Sequence, residues 1–107
     1  MKTGFTSEHF YDANGKPAGG HSEGVGFYID WQNGPLVTAA GVRREPTGAF
    51  VENVIAAACD RIEYYQSGEF ACRENALAIT KLEEALHWLN HRTANRVARG
   101  VEGTHNA

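Results

Sequence analysis

The sequence is poor in cysteine and has no excess of positive charge. Its 107 residues include two cysteines, Cys59 and Cys72, too few for a disulfide framework or a four-ligand zinc site. A net charge of −3 argues against a general nucleic-acid binder, whose surface is normally strongly basic. No apolar run approaches the roughly 18 residues of a membrane span, and the first residues lack a signal-peptide pattern. We therefore expect one soluble domain in a reducing compartment.

Glycine, by contrast, is abundant. Six of the twelve glycines lie before residue 27, and residues 1–24 contain the turn signals Asn14-Gly15 and Gly19-Gly20. The same residues include several aromatic side chains, which are unusual in a solvated linker. This composition predicts a partly ordered glycine-rich arm whose aromatic rings pack on another part of the protein.

Residues 25–46 predict a β-hairpin. Asn33-Gly34 is typical of a two-residue hairpin turn, and residues 36–42 supply a weak return strand. The first strand is indicated by apolar residues that alternate along one face: Val25, Phe27, Ile29 and Trp31.

Residues 47–107 predict a helical hairpin and a C-terminal tail. Thr47 is a candidate N-cap, and the first helix ends at Ser67-Gly68, where glycine suits a left-handed cap. A second helix runs from about Cys72 to Arg99 and is closed by Gly100. The periodic apolar residues are Val51, Val54, Ile55, Ala58, Ile62 and Tyr65 in the first helix, and Ile79, Leu82, Leu86 and Leu89 in the second.

These elements predict an α+β fold in a single domain over residues 1–107. An N-terminal antiparallel β-hairpin or small sheet precedes a long antiparallel two-helix hairpin. The second helix would be about 42 Å long and the first about 24 Å, whereas a domain of this size has a radius of gyration near 13 Å. The overshooting half still carries Leu86, Trp88 and Leu89. We therefore expect a homo-oligomer that buries this half between copies.

The end of the second helix is rich in arginine. Arg92, Arg96 and Arg99 lie along one face, and residues 87–99 contain no acidic side chain. The arginines could simply complement the negative end of the helix dipole. They could equally hold a phosphate group, because guanidinium groups bind phosphate oxygens in pairs.

Aromatic and amide side chains lie near the expected turn of the hairpin. Tyr64 and Tyr65 end the first helix and Asn75 begins the second. A tyrosine ring can stack on a base, and an amide can hydrogen-bond to a base or ribose. For an isolated Tyr or Asn, however, a place in the core stripe or in a first helical turn is the default interpretation.

Metal and catalytic patterns are incomplete. Glu84, His87 and His91 have the spacing of one half of a carboxylate-bridged metal site, but a second such motif is missing. No set of nucleophile, base and orienting group is apparent, so we expect no metal, no cofactor and no enzymatic activity. The alternatives are a nucleotide-processing enzyme that uses His87 or His91 as a general base, and a purely structural or protein-binding oligomer.

Four stretches of the chain carry a resemblance to a known family: residues 26–36, 70–75, 81–90 and 92–105. They resemble phage-encoded immune-signal sponges. The helical hairpin is similar to one shared by the Thoeris anti-defence sponge and the anti-CBASS cyclic-oligonucleotide sponge, and the strand portion is similar to the Thoeris group. The resemblance implies a homohexamer in the cytoplasm of an infected bacterium that binds a cyclic ADP-ribose signal without cleaving it. A sponge for cyclic oligonucleotides alone is the alternative within this class.

The resemblance also implies site residues. Arg92 and Arg96 would hold the diphosphate, Asn75 would contact ribose or base, and Tyr65 would stack. The wall of this site would be completed by the segment around Trp31 and Arg43. A separate pocket for cyclic trinucleotides would match Arg99, Gly103, Thr104 and His105.

Overall fold

The computed structural model describes residues 4–106, which form three strands followed by two helices. They group into two compact units, one of residues 4–50 with 101–106 and the other of residues 51–100. Residues 1–3 of the predicted arm and Ala107 of the predicted tail lie outside the described residues. The elements are β1 (Phe5–Tyr11), β2 (Pro17–Gly24), β3 (Phe27–Trp31), α1 (Val51–Gln66) and α2 (Arg73–Ala98). The α+β order is the one expected.

The first unit contains an antiparallel sheet with the strand order β1-β2-β3. The turn between β1 and β2 is held by Asp12, whose carboxylate accepts hydrogen bonds from the amides of Asn14 and Lys16 at 2.8 and 3.0 Å. The bond from Lys16 is the main cause that lowers the pKa of Asp12. The predicted Asn14-Gly15 turn therefore forms, with Gly15 at φ +76°.

The hairpin lies one strand earlier than the sequence pattern indicated. β3 pairs with β2, with Gly24 opposite Phe27, so the glycine-rich arm supplies two strands of the sheet. Residues 36–42 form no strand, and a single bridge joins Val37 to Arg43. The reason is the close approach of β1 to β2 at Gly20, where φ is +142° and a β-carbon would overlap the carbonyl oxygen of Glu8. Glycine in this arm therefore permits strand pairing and does not mark a linker.

Hydrogen bonds between side chains link the three strands of this sheet. Ser22 on β2 is buried and shares a hydrogen bond of 2.7 Å with Ser7 on β1. The indole nitrogen of Trp31 on β3 donates to the same Ser22 hydroxyl at 3.0 Å. Because buried hydroxyl groups are costly when unpaired, this chain of bonds fixes the indole of Trp31 relative to all three strands.

The second unit is the predicted helical hairpin, and α2 begins and ends one residue inside its expected bounds of Cys72 and Arg99. Gly100 adopts the expected left-handed conformation just after α2, with φ +73°. Two expected caps are wrong. Thr47 lies four residues before α1 and accepts a hydrogen bond from the amide of Asn33. Gly68 has no positive φ, and its amide donates to the carbonyl of Tyr65 at 3.2 Å.

The two helices bury few apolar side chains where they pack against each other. Among the apolar side chains of residues 4–106, only that of Cys59 is buried, and α2 contributes none. The expected stripe of α2 is half-buried. In the expected stripe of α1, however, Val51, Ala58 and Tyr65 are exposed, because the inner line of α1 runs through Cys59. Within the described residues, neither helix has the length and apolar character needed to cross a membrane.

Replacement of Gly20 by alanine should destabilise the sheet. An alanine at Gly20 would have to adopt a backbone conformation nearly exclusive to glycine and displace the backbone of β1, so we expect a loss of about 3 kcal/mol. Gly26→Ala is the matched control, since φ is +85° there but nothing lies within 4 Å of a β-carbon, and about 1 kcal/mol is expected. Urea unfolding at one protein concentration measures both. Equal losses would contradict the close approach at Gly20.

The two cysteines should differ in reactivity. Burial, followed by the hydrogen bond from Cys59 to the Glu63 carboxylate at 3.5 Å, raises the pKa of the Cys59 thiol. Since only the thiolate reacts, alkylation of Cys59 should be slow at pH 7 and should still accelerate above about pH 9, where an ordinary thiol levels off. Iodoacetamide kinetics on a Cys72→Ser variant measure this. Rates for Cys59 that match those of exposed Cys72 in a Cys59→Ser variant would contradict it.

Candidate functional site

The turn of the helical hairpin carries two exposed tyrosines held by an arginine. The guanidinium carbon of Arg61 lies 4.9 Å from the ring centre of Tyr64 and 5.0 Å from that of Tyr65. Arg61 Nε also donates to the Tyr65 hydroxyl at 3.3 Å. The two rings meet edge to face at 5.7 Å. Tyr65 is 39% exposed and therefore lies outside the core of the hairpin, so its ring is available to a ligand.

These rings border a cavity of about 390 Å³. Its walls come from the end of α1 and the interhelical loop: Arg61, Tyr64, Tyr65, Ser67, Gly68, Glu69 and Phe70. We call this cavity the hairpin-turn pocket. Asn75 lies next to it, since its Nδ2 donates to the carbonyl oxygen of Phe70 at 3.3 Å. The structure thus brings together Tyr65 and Asn75, two of the expected binding residues.

Sequence reasoning missed Arg61 and Phe70. Arg61 stands three and four residues before the two tyrosines, which is the spacing that places side chains on one helical face. That spacing was a usable signal. Phe70 lies in the loop, 68% exposed, and no periodic pattern could identify it.

The predicted arginine face lies toward the other end of α2. Arg92 and Arg96 are both on the last turns of this helix, and the side chain of Arg99 just beyond it donates to Asn95 at 2.9 Å. The face is free of acidic residues along α2, but the antiparallel hairpin brings Glu52 of α1 to 3.7 Å from Arg92. The Arg92 side chain remains 62% exposed, and such exposed pairs contribute little to stability.

The two groups of expected binding residues on α2 are far apart within one chain. Asn75 and Arg92 are separated by 17 residues of continuous helix. At 1.5 Å per residue, this corresponds to about 26 Å. The hairpin-turn pocket and the arginine face therefore lie at opposite ends of the same helical hairpin.

Two further expected residues belong to the first unit. Trp31 is held by Ser22, as described above. Arg43 makes a two-pronged ion pair with Glu102, with distances of 3.0 and 3.1 Å. The hydrogen bonds and the charge of Glu102 raise the pKa of Arg43. This pair ties the C-terminal tail to the loop that follows β3.

Three of the four residues expected in a second pocket lie in that tail. The carbonyl of Gly103 accepts a hydrogen bond from the amide of Val37 at 2.8 Å, and His105 Nε2 is 3.3 Å from the carbonyl of Pro17. The Thr104 hydroxyl donates to the carbonyl of Val101 at 2.6 Å. Arg99, the fourth, belongs to the second unit. The tail is thus folded onto the unit of the sheet.

The histidines of α2 flank an exposed tryptophan. His87 and His91 approach the ring of Trp88 edge-on at 5.8 and 6.0 Å, and Glu84 pairs with Lys81 at 3.8 Å. Within residues 4–106 no three His, Cys, Asp or Glu side chains are grouped so that they could hold a metal ion. His87, Trp88 and His91 therefore form an aromatic patch on the surface of α2.

Comparison with known proteins gives two matches. The chain is 56% identical over 77 residues to Thoeris anti-defense 1 of Bacillus phage SBSphiJ7, a match that covers 72% of this chain and 51% of that protein. The chain thus spans about half the length of this curated relative. The family model of the Acb2/Tad1 hairpin domain matches residues 23–94, which include β3, all of α1 and most of α2. The resemblance seen in the sequence is confirmed, and the chain belongs to the Acb2/Tad1 hairpin-domain family.

Proposed function

We propose that this protein is a phage anti-defence sponge. It binds a cyclic ADP-ribose signal in the cytoplasm of the infected bacterium and holds it without cleavage, so that Thoeris signalling stays off. The name of the Bacillus phage relative and the family of the hairpin domain support this assignment. Sequestration requires affinity and slow release, and no reacting group.

The observation that carries the proposal is the chemistry at the two ends of the hairpin. The hairpin-turn pocket offers the ring of Tyr65 for base stacking, and Asn75 beside it offers an amide for a ribose or base edge. The other end offers Arg92 and Arg96, whose guanidinium groups match a diphosphate. A cyclised ADP-ribose contains a base, ribose and a diphosphate in one molecule, so it has a partner group for each of these side chains.

We further propose that each site forms between two copies of the chain. A single cyclic nucleotide is much shorter than the roughly 26 Å between Asn75 and Arg92. Two antiparallel copies would place the hairpin-turn pocket of one beside the arginine face of the other. Apolar side chains on α2 that are exposed in one chain could line such an interface: Leu77, Trp88 and Val97, exposed by 46%, 61% and 58%.

Trp31 and Arg43 complete the proposed site from the first unit, and Arg99, Gly103, Thr104 and His105 remain our proposed second pocket for cyclic trinucleotides. Within the first unit, the tail residues Gly103 and His105 are held by contacts with Val37 and Pro17. A cyclic-oligonucleotide ligand is therefore part of the test below.

Native mass spectrometry with a panel of cyclic ADP-ribose isomers and cyclic di- and trinucleotides tests the function. We expect an even number of chains, one cyclic ADP-ribose per chain, and release of the unchanged ligand on heating. A monomer without bound ligand would contradict the proposal. A chemically altered product that disappears in His91→Ala would instead support an enzyme.

Complementation tests whether two copies share a site. One variant carries Tyr65→Ala and Asn75→Ala, and the other carries Arg92→Gln and Arg96→Gln. Each alone should lose about 100-fold or more in affinity, because two polar or stacking contacts are removed. After joint unfolding and refolding in equal amounts, about one quarter of the wild-type site capacity should return, since half of the pairs are mixed and each has one intact site.

A variant with all four substitutions is the control. Mixed equally with wild type, it should leave about one quarter of the capacity if sites are shared. About one half would remain if each chain held its own site. That result, together with no recovery between the two double variants, would overturn the shared site.

A further inference from the structure

Arg61 differs from Arg43 and Arg92 in what surrounds its charge. Arg43 and Arg92 face carboxylates, Glu102 at 3.0 Å and Glu52 at 3.7 Å. Arg61 instead lies over the rings of Tyr64 and Tyr65, and no carboxylate within residues 4–106 comes within 4 Å of it. In a protein of net charge −3, a cation with aromatic neighbours and no acidic partner is attractive to an anion.

The position of its guanidinium group is also restrained. The Nε donates to the Tyr65 hydroxyl, while the plane is supported by two rings. Within the described residues, neither Nη group makes a hydrogen bond, and Arg61 lines the hairpin-turn pocket. A guanidinium held in this way loses little further freedom when it binds an oxyanion.

Within residues 4–106 of one chain, a single cationic side chain lines the hairpin-turn pocket. The arginine face of the same chain lies about 26 Å away, well beyond the screening length of about 8 Å at physiological salt. Arg61 is the one Lys or Arg side chain among the residues that line the pocket, where Glu69 contributes an opposing charge. Without Arg61, the lining would repel a phosphate.

We infer that Arg61 is an anion-binding residue of the hairpin-turn pocket. Its Nη groups donate to a phosphate of the nucleotide whose base stacks on Tyr65, so the pocket selects a ring joined to a nearby phosphate. This inference rests on the proposed function and adds a ligand contact that the arginine face does not supply. It also makes the pocket selective for nucleotides over uncharged nucleosides.

The experiment compares Arg61→Gln, Tyr65→Phe and the double variant, with calorimetric titration of the cyclic ADP-ribose isomer that the wild type binds. Arg61→Gln should weaken binding about tenfold or more, the loss expected for a hydrogen bond to a charged group. Tyr65→Phe keeps the ring but removes the hydroxyl that holds Arg61 Nε. In that background, Arg61→Gln should still weaken binding about tenfold.

Lys81→Gln is the matched control, because it removes one positive charge from an exposed side chain outside the pocket and should leave affinity unchanged. Unchanged helical content by circular dichroism shows that each variant is folded. If Tyr65→Phe alone reproduces the whole loss and the double variant is no worse, Arg61 acts only through Tyr65 and the inference is wrong. Wild-type affinity in Arg61→Gln also overturns it while the proposed function stands. A wild type that binds no member of the panel overturns both.

Discussion

The length of α2 is the constraint on which the rest of the hairpin depends. Its 26 residues form one continuous helix, closed by a glycine in the left-handed conformation. A shorter helix would bring Asn75 and Arg92 within reach of one nucleotide in one chain. At the observed length, each end can supply only part of a nucleotide site, and the proposed sponge must obtain the other part from a second copy.

The thin core of the hairpin agrees with this arrangement. Among the 50 residues of the second unit, Cys59 is the one buried apolar side chain, while Trp88 remains 61% exposed. A core of this kind contributes little stability, since burial of apolar area is the main favourable term in folding. In the proposed assembly, contact between copies would bury more of α2, and a ligand shared by two copies would stabilise the pair by mass action.

Sequence reasoning was most accurate where a pattern depends on local chemistry. Both ends of α2 were located to within one residue, because apolar spacing and the cap at Gly100 act over a few residues. The start of α1 was expected just after Thr47, whereas the helix begins at Val51. It was least accurate for the sheet, where β2 contains three glycines and no alternation of apolar side chains. Its pairing depends on the space at Gly20, which is a property of two strands together. The contact of Glu52 with Arg92 could not be read from α2 alone, since it requires the register of the hairpin.

For the site residues too, some features follow from local helical spacing and others depend on tertiary packing. The exposure of Tyr65 depends on whether Tyr65 or Cys59 continues the inner line of α1, and helical spacing permits both. Once Tyr65 faces outward, its neighbour Arg61 follows from spacing alone. The ion pair of Arg92 with Glu52 is exposed and worth less than about 1 kcal/mol. A diphosphate carries more charge than one carboxylate and offers paired oxygens to each guanidinium. Exchange of Glu52 for such a ligand would therefore cost the protein little, and a site that is partly neutralised when empty can still bind its anion tightly.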